Sequence, residues 1–264
     1  MTTHSPWEDR SQACNPNTSS QQLHALAQST SREIRLLVAR HPHATADLLI
    51  ALLHDDDWIV AAETASHAHL PVDRISPELL NRPWLAKSLA GRNDLPESII
   101  SVLALSSFSG VRQRIAAAPH APSSALVTLC SDAHTHVRAT AAGNPGTQLA
   151  ELRTLADDDI PAVRAAVASH STSDSAIIHA LSHDPDDAVR AATVNHLRLT
   201  DEDFSRLLHD DSDLVRQAIA TTARLTGDQL LHLATDTSVH VRQKVISNPR
   251  TPPAVAAIAA LQHP

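Results

Sequence analysis

The dipeptide Val-Arg recurs in this chain at one fixed spacing. Its arginines follow one another every 26 residues, at Arg112, Arg138, Arg164, Arg190, Arg216 and Arg242. A period of this length is typical of solenoids, in which each repeat buries its apolar face only by stacking on its neighbours. The same frame extends backwards through Ala86 and Val60 to Arg35. The sequence therefore predicts about nine repeats and no second kind of domain.

Two helical faces can be read within each repeat. Apolar residues stand twelve and nine positions before the arginine, as at Leu152 and Leu155, and a spacing of three belongs to one helix face. The valine before the arginine and the residue four further on, such as Val163 and Val167, form a second face. Prolines seven residues after the arginine position, where they would end a helix, are Pro42, Pro119, Pro145 and Pro249. We therefore predict an all-α solenoid of about nine 26-residue repeats, each with two helices (α/3-10 or α/α).

The repeat motif resembles the variant leucine-rich repeat (LRV) family, a relative of the HEAT-like helical repeats. The motif runs from aspartate through Val-Arg, Val-Ala, Asn-Pro and Thr-Pro to two leucines, and residues 235–261 and 132–155 approximate it. The resemblance implies a right-handed superhelix of alternating α- and 3-10 helices over nearly the whole chain. The period here is longer than the roughly 24 residues of the family.

Some members of this family hold an iron-sulfur centre in an N-terminal cysteine cluster. Such a centre needs four thiolates, whereas this chain has two cysteines, Cys14 and Cys130. We therefore expect no cofactor.

Five of the arginines have an aspartate six residues earlier. The pairs are Asp132 and Arg138, Asp158 and Arg164, Asp184 and Arg190, Asp210 and Arg216, and Asp236 and Arg242. The resemblance to HEAT-type repeats implies that each carboxylate caps the second helix and pairs with an arginine of its own or the next repeat. We interpret this ladder as structural.

The ladder is interrupted in the first half of the chain. At the aligned positions Val60 and Ala86 the arginine is missing, and His54 and Leu80 stand in place of the aspartate. Arg35 and Arg112 follow Ser29 and Ser106 instead, so we expect these arginines to find other acceptors.

Two tryptophans mark the interruption. Trp58 and Trp84 each stand two residues before a missing arginine, in a chain with three tryptophans, two phenylalanines and no tyrosine. Equivalent positions in adjacent repeats would place the rings in one aromatic patch, and tryptophan is enriched at binding hot spots. With the basic residues Arg82, Lys87 and Arg92 they form the candidate partner-binding site. The alternative is that both tryptophans fill volume left by the missing ion pairs.

Eighteen histidines raise the question of a metal site. Pairs occur at His41 and His43, His67 and His69, His134 and His136, and His179 and His183. No carboxylate or third histidine recurs in register with these pairs, and a structural zinc site takes four ligands. His41, His170 and His196 occupy the position that Asn144 and Asn248 hold in other repeats, near a helix end. We therefore predict no bound metal.

No catalytic motif accompanies the repeats. The chain has no Gly-x-Ser-x-Gly turn and no glycine-rich phosphate loop. We expect a protein that is not an enzyme.

The domain division predicted from the sequence is a flexible N-terminal tail over residues 1–14, followed by one solenoid domain over residues 15–264. The tail is polar and rich in Ser, Thr and Gln, although it could instead fold as a cap that buries Trp7. Without an apolar leader or span, and with two distant cysteines, we expect a cytoplasmic protein. High Ala and Arg usage with two lysines suggests a bacterial source.

The function predicted from these features is a non-enzymatic scaffold that binds an unidentified protein partner and no membrane. The alternative is a nucleic-acid-associated protein, a degenerate relative of the HEAT-like alkylation-repair glycosylases. A formal net charge of −8 argues against nucleic acid, because such binding draws its affinity from the neutralisation of phosphates.

Overall fold

The computed structural model describes residues 5–261, and no β-strand occurs within this range. The chain divides into two compact units, Met1–Thr128 and Leu129–Pro264. Each unit is a series of short helices, so the all-α repeat fold predicted from the sequence is confirmed.

The first unit contains eight complete α-helices among its described residues. These are α1 (Pro6–Cys14), α2 (Ser20–Leu26), α3 (Arg32–Ala39), α4 (Ala46–Leu52), α5 (Trp58–Ala65), α6 (Pro83–Leu89), α7 (Glu97–Ala104) and α8 (Ser109–Ala117). Two 3-10 helices, Val72–Arg74 and Pro77–Asn81, lie between α5 and α6. A ninth helix, α9 (Ser123–Cys130), crosses the boundary between the units.

The second unit continues the same alternation. Its helices are α10 (Thr135–Ala142), α11 (Leu149–Leu155), α12 (Pro161–Ala168), α13 (Ser175–Ser182), α14 (Asp187–Thr193), α15 (Asp201–Leu207), α16 (Asp213–Ala220), α17 (Gly227–Ala234), α18 (Val239–Ser247) and α19 (Pro253–Leu261). The Val-Arg pair lies on the second helix of each repeat.

Capping residues and prolines determine where these helices begin and end. Thr200 and Thr226 cap first helices, because each hydroxyl accepts a hydrogen bond from the backbone N–H three residues later. The second helix α10 ends at Ala142, ahead of Pro145, and α18 ends at Ser247, ahead of Pro249. Both helices of most repeats are α-helical, so of the two predicted geometries the α/α form predominates.

The core runs along the stacked second helices. Helix α12 packs against both α10 and α14, and α16 packs against both α14 and α18. The valine before each arginine is fully buried, as at Val163, Val189 and Val215. These side chains supply the apolar surface that joins one repeat to the next.

Residues 6–14, within the predicted tail, form helix α1. It packs against α3 much as α3 packs against α5, so it occupies the place of a second helix in the stack. Trp7 on this helix is 77% exposed, so the cap geometry does not bury it. Residues 1–4 lie outside the described residues, and the division into a tail and a single domain over 15–264 stays a prediction.

One repeat is 25 residues long instead of 26. The structure places this shorter repeat between α5 and α6, whereas the sequence alignment places it between Arg35 and Val60. Helix α5 begins one full period after α3, whereas α6 begins one residue short of a full period after α5. The residue equivalent to a ladder arginine in α5 is therefore Ala61, and Val60 is the buried apolar residue that precedes it. The missing residue falls in the segment where two 3-10 helices replace the first α-helix of the repeat. A 3-10 helix rises further per residue, so it spans the same length with fewer residues.

Within residues 5–261, no helix is both long enough and apolar enough to cross a membrane.

Candidate functional site

The ladder arginines reach forward to the next repeat. Arg164 donates from Nε to Asp184 Oδ2 at 2.7 Å and from Nη2 to Asp184 Oδ1 at 2.8 Å. Its Nη1 donates to the backbone carbonyl of Asp158, six residues earlier, at 2.7 Å. The same two-pronged pairing, at the same separation along the chain, joins Arg35 to Asp55, Arg138 to Asp158, Arg190 to Asp210, and Arg216 to Asp236. Each arginine thus ties its own helix to the loops on both sides.

The ladder aspartates have a second role as turn residues. Asp184 Oδ1 accepts the backbone N–H of Asp186 at 2.9 Å, and Asp132 holds the N–H of His134 in the same way at 2.8 Å. The hydrogen bond from Arg138 lowers the pKa of Asp158. Burial is the largest single effect on the pKa of Asp184 and raises it, but the hydrogen bonds from Arg164 and from the N–H of Asp186, together with the charges of Arg164 and Arg190, outweigh it and the pKa is lowered. The last ladder arginine, Arg242, donates to the carbonyl of Asp236 at 2.7 Å.

The geometry explains the interruption of the ladder. Because an arginine pairs with the aspartate of the following repeat, the partner position of Ala61 is Leu80 and that of Ala86 is Ser106. Both charges are therefore absent together at each interrupted pair, and no buried charge lacks its partner there. Arg35 finds its other acceptor in Asp55, at 2.7 Å, as expected.

A second row of polar side chains joins the loops that follow the second helices. Nε2 of His67 lies 3.1 Å from the carbonyl oxygen of His41, and Nε2 of His196 lies 3.1 Å from that of His170. In each ring Nδ1 accepts a backbone N–H two residues later, which assigns the proton to Nε2. Asn248 replaces histidine in the last repeat and donates to the carbonyl of Thr222 at 2.9 Å.

We expect the free energy of unfolding to decrease at acidic pH because of His67 and His196. Burial lowers the pKa of His67 and His196, and the neighbouring cations Arg92 and Arg198 lower it further, against the opposing effect of the carbonyl each ring faces. The unfolded chain takes up protons near pH 6.5, while the folded chain does so at lower pH, so stability falls as the pH falls below about 6.5. We expect the urea midpoint to decrease between pH 7.5 and 5.5.

The control for this pH effect is the double variant His67→Asn, His196→Asn. Asparagine stands at this position in Asn144 and Asn248 and does not titrate. The variant should show a flatter dependence over the same range. An equal slope in both proteins would contradict the assignment to these two rings.

Trp58 and Trp84 lie at the start of adjacent packed helices, one residue out of register. Trp58 is the first residue of α5 and Trp84 the second of α6, so they are not equivalent positions as the sequence alignment predicts. Trp58 is 57% exposed and Trp84 is half-buried. Trp58 therefore does not fill a core volume.

The three basic candidates differ from one another. The guanidinium of Arg82 lies over the Trp84 ring, 5.8 Å from its centroid. Lys87 is exposed on α6, one turn after Trp84, and makes no ion pair or hydrogen bond within residues 5–261. Arg92 is not a free cation, because its side chain is 9% exposed and bonded to Asp94 and to the carbonyl of His67. It stands where most other repeats have histidine or asparagine, although Ala118 and Thr222 are exceptions, so it belongs to the second polar row.

A groove of about 630 Å³ lies at the C-terminal ends of α5 and α6. We call it the basic groove; it is lined by Ser66, Ala68, Lys87, Ser88, Gly91, Arg92, Asn93, Asp94 and Arg114. The carboxylate of Asp94 is paired with Arg92, so the other two cations give the groove its positive charge. Arg114 on α8 is exposed and, like Lys87, has no ion pair in the described part of the chain. Its Nη2 would lie 2.9 Å from a Cβ at Gly91, so the absence of a side chain there lets the guanidinium approach the backbone. Sequence reasoning did not find this groove, because its members come from three repeats.

Stacked helix pairs tied together by a recurring arginine ladder define a helical repeat protein. The chain matches no protein-family model and no curated protein. Among solved structures it is similar to one described as "a leucine-rich repeat variant with a novel repetitive protein structural motif". The two chains are 22% identical, with 89% of this chain and 87% of the other covered and a TM-score of 0.49. That structure is of the class that the repeat motif resembles.

Proposed function

We propose that the protein is a non-enzymatic scaffold that binds an acidic segment of a protein partner on α5, α6 and α8. The observation that carries this proposal is an exposed tryptophan at the N-terminal end of α5 and, at the C-terminal ends of α5 and α6, a groove with two cations that have no ion pair in the described part of the chain, where the arginine ladder is interrupted. The proposal also keeps the predicted bacterial cytoplasmic location.

Tryptophan and arginine dominate the energetic centres of protein interfaces. Trp58 leaves more than half of its surface in water, where a partner would cover it. Arg82 and Trp84 form a cation-π pair on the neighbouring helix, which supplies a flat, preorganised contact. Helix α6 has seven residues and spans about 10 Å, so the tryptophans and the basic groove are within reach of one extended segment.

Charge selects the acidic partner. Acidic residues outnumber basic ones, 29 to 21, and most described arginines are already bonded to carboxylates or carbonyls. Lys87 and Arg114 keep their charge available on one groove. A carboxylate-bearing peptide would be attracted there, while a long polyanion such as duplex DNA would meet the repulsion of the net negative chain.

Charge reversal in the basic groove tests the proposal. We expect Lys87→Glu, Arg114→Glu to lower partner capture from lysate at least tenfold, because each glutamate repels an acidic segment. The control is Arg198→Glu, Lys244→Glu, which changes net charge equally at exposed sites of the second unit. Equal capture by the two double variants would refute the proposal. Loss of capture after nuclease treatment would favour the nucleic-acid alternative.

A matched experiment addresses the aromatic contact. Trp58→Ala should lower capture while changing the free energy of unfolding by less than about 1 kcal/mol, because the side chain is mostly in water. Leu197→Ala is the control, since Leu197 is fully exposed outside the proposed surface. A loss of roughly 3 kcal/mol or more in Trp58→Ala would instead support the core-filling alternative.

A further inference from the structure

Two histidines and a buried aspartate of the second unit meet at one point. His179 lies in α13 and His183 caps its C-terminal end, so the imidazoles are one helical turn apart, with ring centroids 4.8 Å apart. Asp203 comes from α15 of the next repeat, and its Oδ2 lies 3.0 Å from His179 Nδ1. Its Oδ1 lies 3.8 Å from His183 Nδ1. One donor atom from each residue lies within 4.8 Å of the other two.

The carboxylate of Asp203 differs from those of the ladder. Its side chain is 3% exposed, yet no arginine pairs with it among the described residues. Arg206, one turn further along α15, instead donates to the carbonyl and hydroxyl of Ser182. Thr200 Oγ1 donates to Asp203 Oδ2 at 2.8 Å and fixes the orientation of the carboxylate. Asp203 therefore presents a fixed, buried carboxylate to the hydroxyl of Thr200 and to two imidazoles.

The imidazoles are accessible and able to adjust. The side chains of His179 and His183 are 64% and 46% exposed. Around Zn²⁺, with metal–nitrogen distances of about 2.0–2.1 Å, donor atoms lie about 3.4 Å apart. Bringing the three donors to that separation requires rotation of the exposed rings, and His183 Nδ1 would exchange the carbonyl oxygen of His179 and the hydroxyl of Ser182, 3.0 and 3.1 Å away, for the metal.

We propose that His179, His183 and Asp203 form a binding site for a divalent transition-metal ion of the Zn²⁺ type. Two histidines four residues apart on a helix chelate one ion from the same face, and a carboxylate completes a three-ligand set that suits zinc. The exposure of both rings leaves a fourth position open to water. No carboxylate stands in register with the pair in the sequence, because Asp203 lies 24 residues from His179 in the neighbouring repeat.

The cluster is not reproduced between the adjacent repeats. The residues that match His179 in the adjacent repeats are Arg153 and Ser205, and those that match Asp203 are Ile177 and Gln229. None of these four positions carries the same ligand type, so stacking of the repeats does not by itself require this arrangement.

The test is a titration of the full chain with ZnCl₂ by isothermal calorimetry, after removal of metal with EDTA. In wild type, one zinc ion should bind at this site more tightly than zinc binds at the other histidines. We expect the dissociation constant of that ion to rise at least tenfold in His183→Gln, whose exposed side chain can change without disturbing the core. Asp203→Asn should have a similar effect, with circular dichroism confirming that it folds.

The control variant is His209→Gln. His209 and His232 also stack, with ring centroids 4.7 Å apart, but they do not join a third ligand in such a group within residues 5–261. This variant should bind zinc as wild type does. Equal affinity in wild type and His183→Gln would overturn the proposal, as would an equal loss in His209→Gln.

Discussion

Replacing Arg164 with methionine is expected to lower the free energy of unfolding by about 3–5 kcal/mol. The substitution removes both donors from Asp184, whose side chain is 5% exposed, and leaves a buried carboxylate without its counter-charge. The measurement is urea denaturation followed by circular dichroism at pH 7.5.

A matched arginine in the adjacent helix supplies the control for Arg164→Met. Arg153 pairs with Asp174 at 2.8 Å, but its side chain is 63% exposed, so Arg153→Met should cost less than about 1 kcal/mol. Adding Asp184→Asn to Arg164→Met should recover part of the loss, because asparagine carries no charge and can still accept the N–H of Asp186. Similar midpoints for the two single variants would contradict the role assigned to the ladder.

His170→Leu is expected to be the next most damaging change, at about 2–3 kcal/mol. Nε2 of His170 lies 2.8 Å from the buried carbonyl oxygen of Asn144, and its Nδ1 accepts the N–H of Thr172. Leucine leaves both backbone groups without these partners. Thermal and urea unfolding of purified variants would measure the loss.

Asparagine should rescue this position. It occupies the equivalent site at Asn248, where Nδ2 donates to a carbonyl of the preceding repeat. His170→Asn should therefore stay within about 1 kcal/mol of wild type, while His120→Leu, at an exposed histidine, should change little. If His170→Leu were as stable as His170→Asn, the hydrogen bond between repeats would not matter for stability.

The repeating parts of the fold are readable from the sequence because two signals coincide there. At Val163 and Arg164 the apolar period and the charged residue mark the same helix in the same frame. Where the arginine is absent, the frame can slip by one residue without breaking the apolar pattern. Val60 could be taken for the ladder position, although it is the core residue before Ala61. The register of Trp58 and Trp84 was wrong for that reason.

The parts of the candidate sites that could not be predicted depend on contacts between repeats. Arg92 looks like a free cation in the sequence, but its guanidinium takes the place of a histidine and binds the carbonyl of His67. Asp203 lies beside His179 because helices α13 and α15 pack together. The two residues are 24 positions apart, which is neither the 26-residue repeat nor the 20-residue separation of the ladder pairs. Pairing of this kind becomes visible only when the offset between successive helices is known.

The two rows of polar bonds also bear on how the chain could fold during its synthesis. Each arginine finds its aspartate 20 residues later, and each histidine or asparagine finds its carbonyl about 26 residues earlier. Contacts of such short range carry a low entropic cost of loop closure, and they need no segment from a distant part of the chain. A ribosome that has released one more repeat has therefore supplied the partners of both polar rows for the preceding repeat, and the stack can grow from its N-terminal end one helix pair at a time.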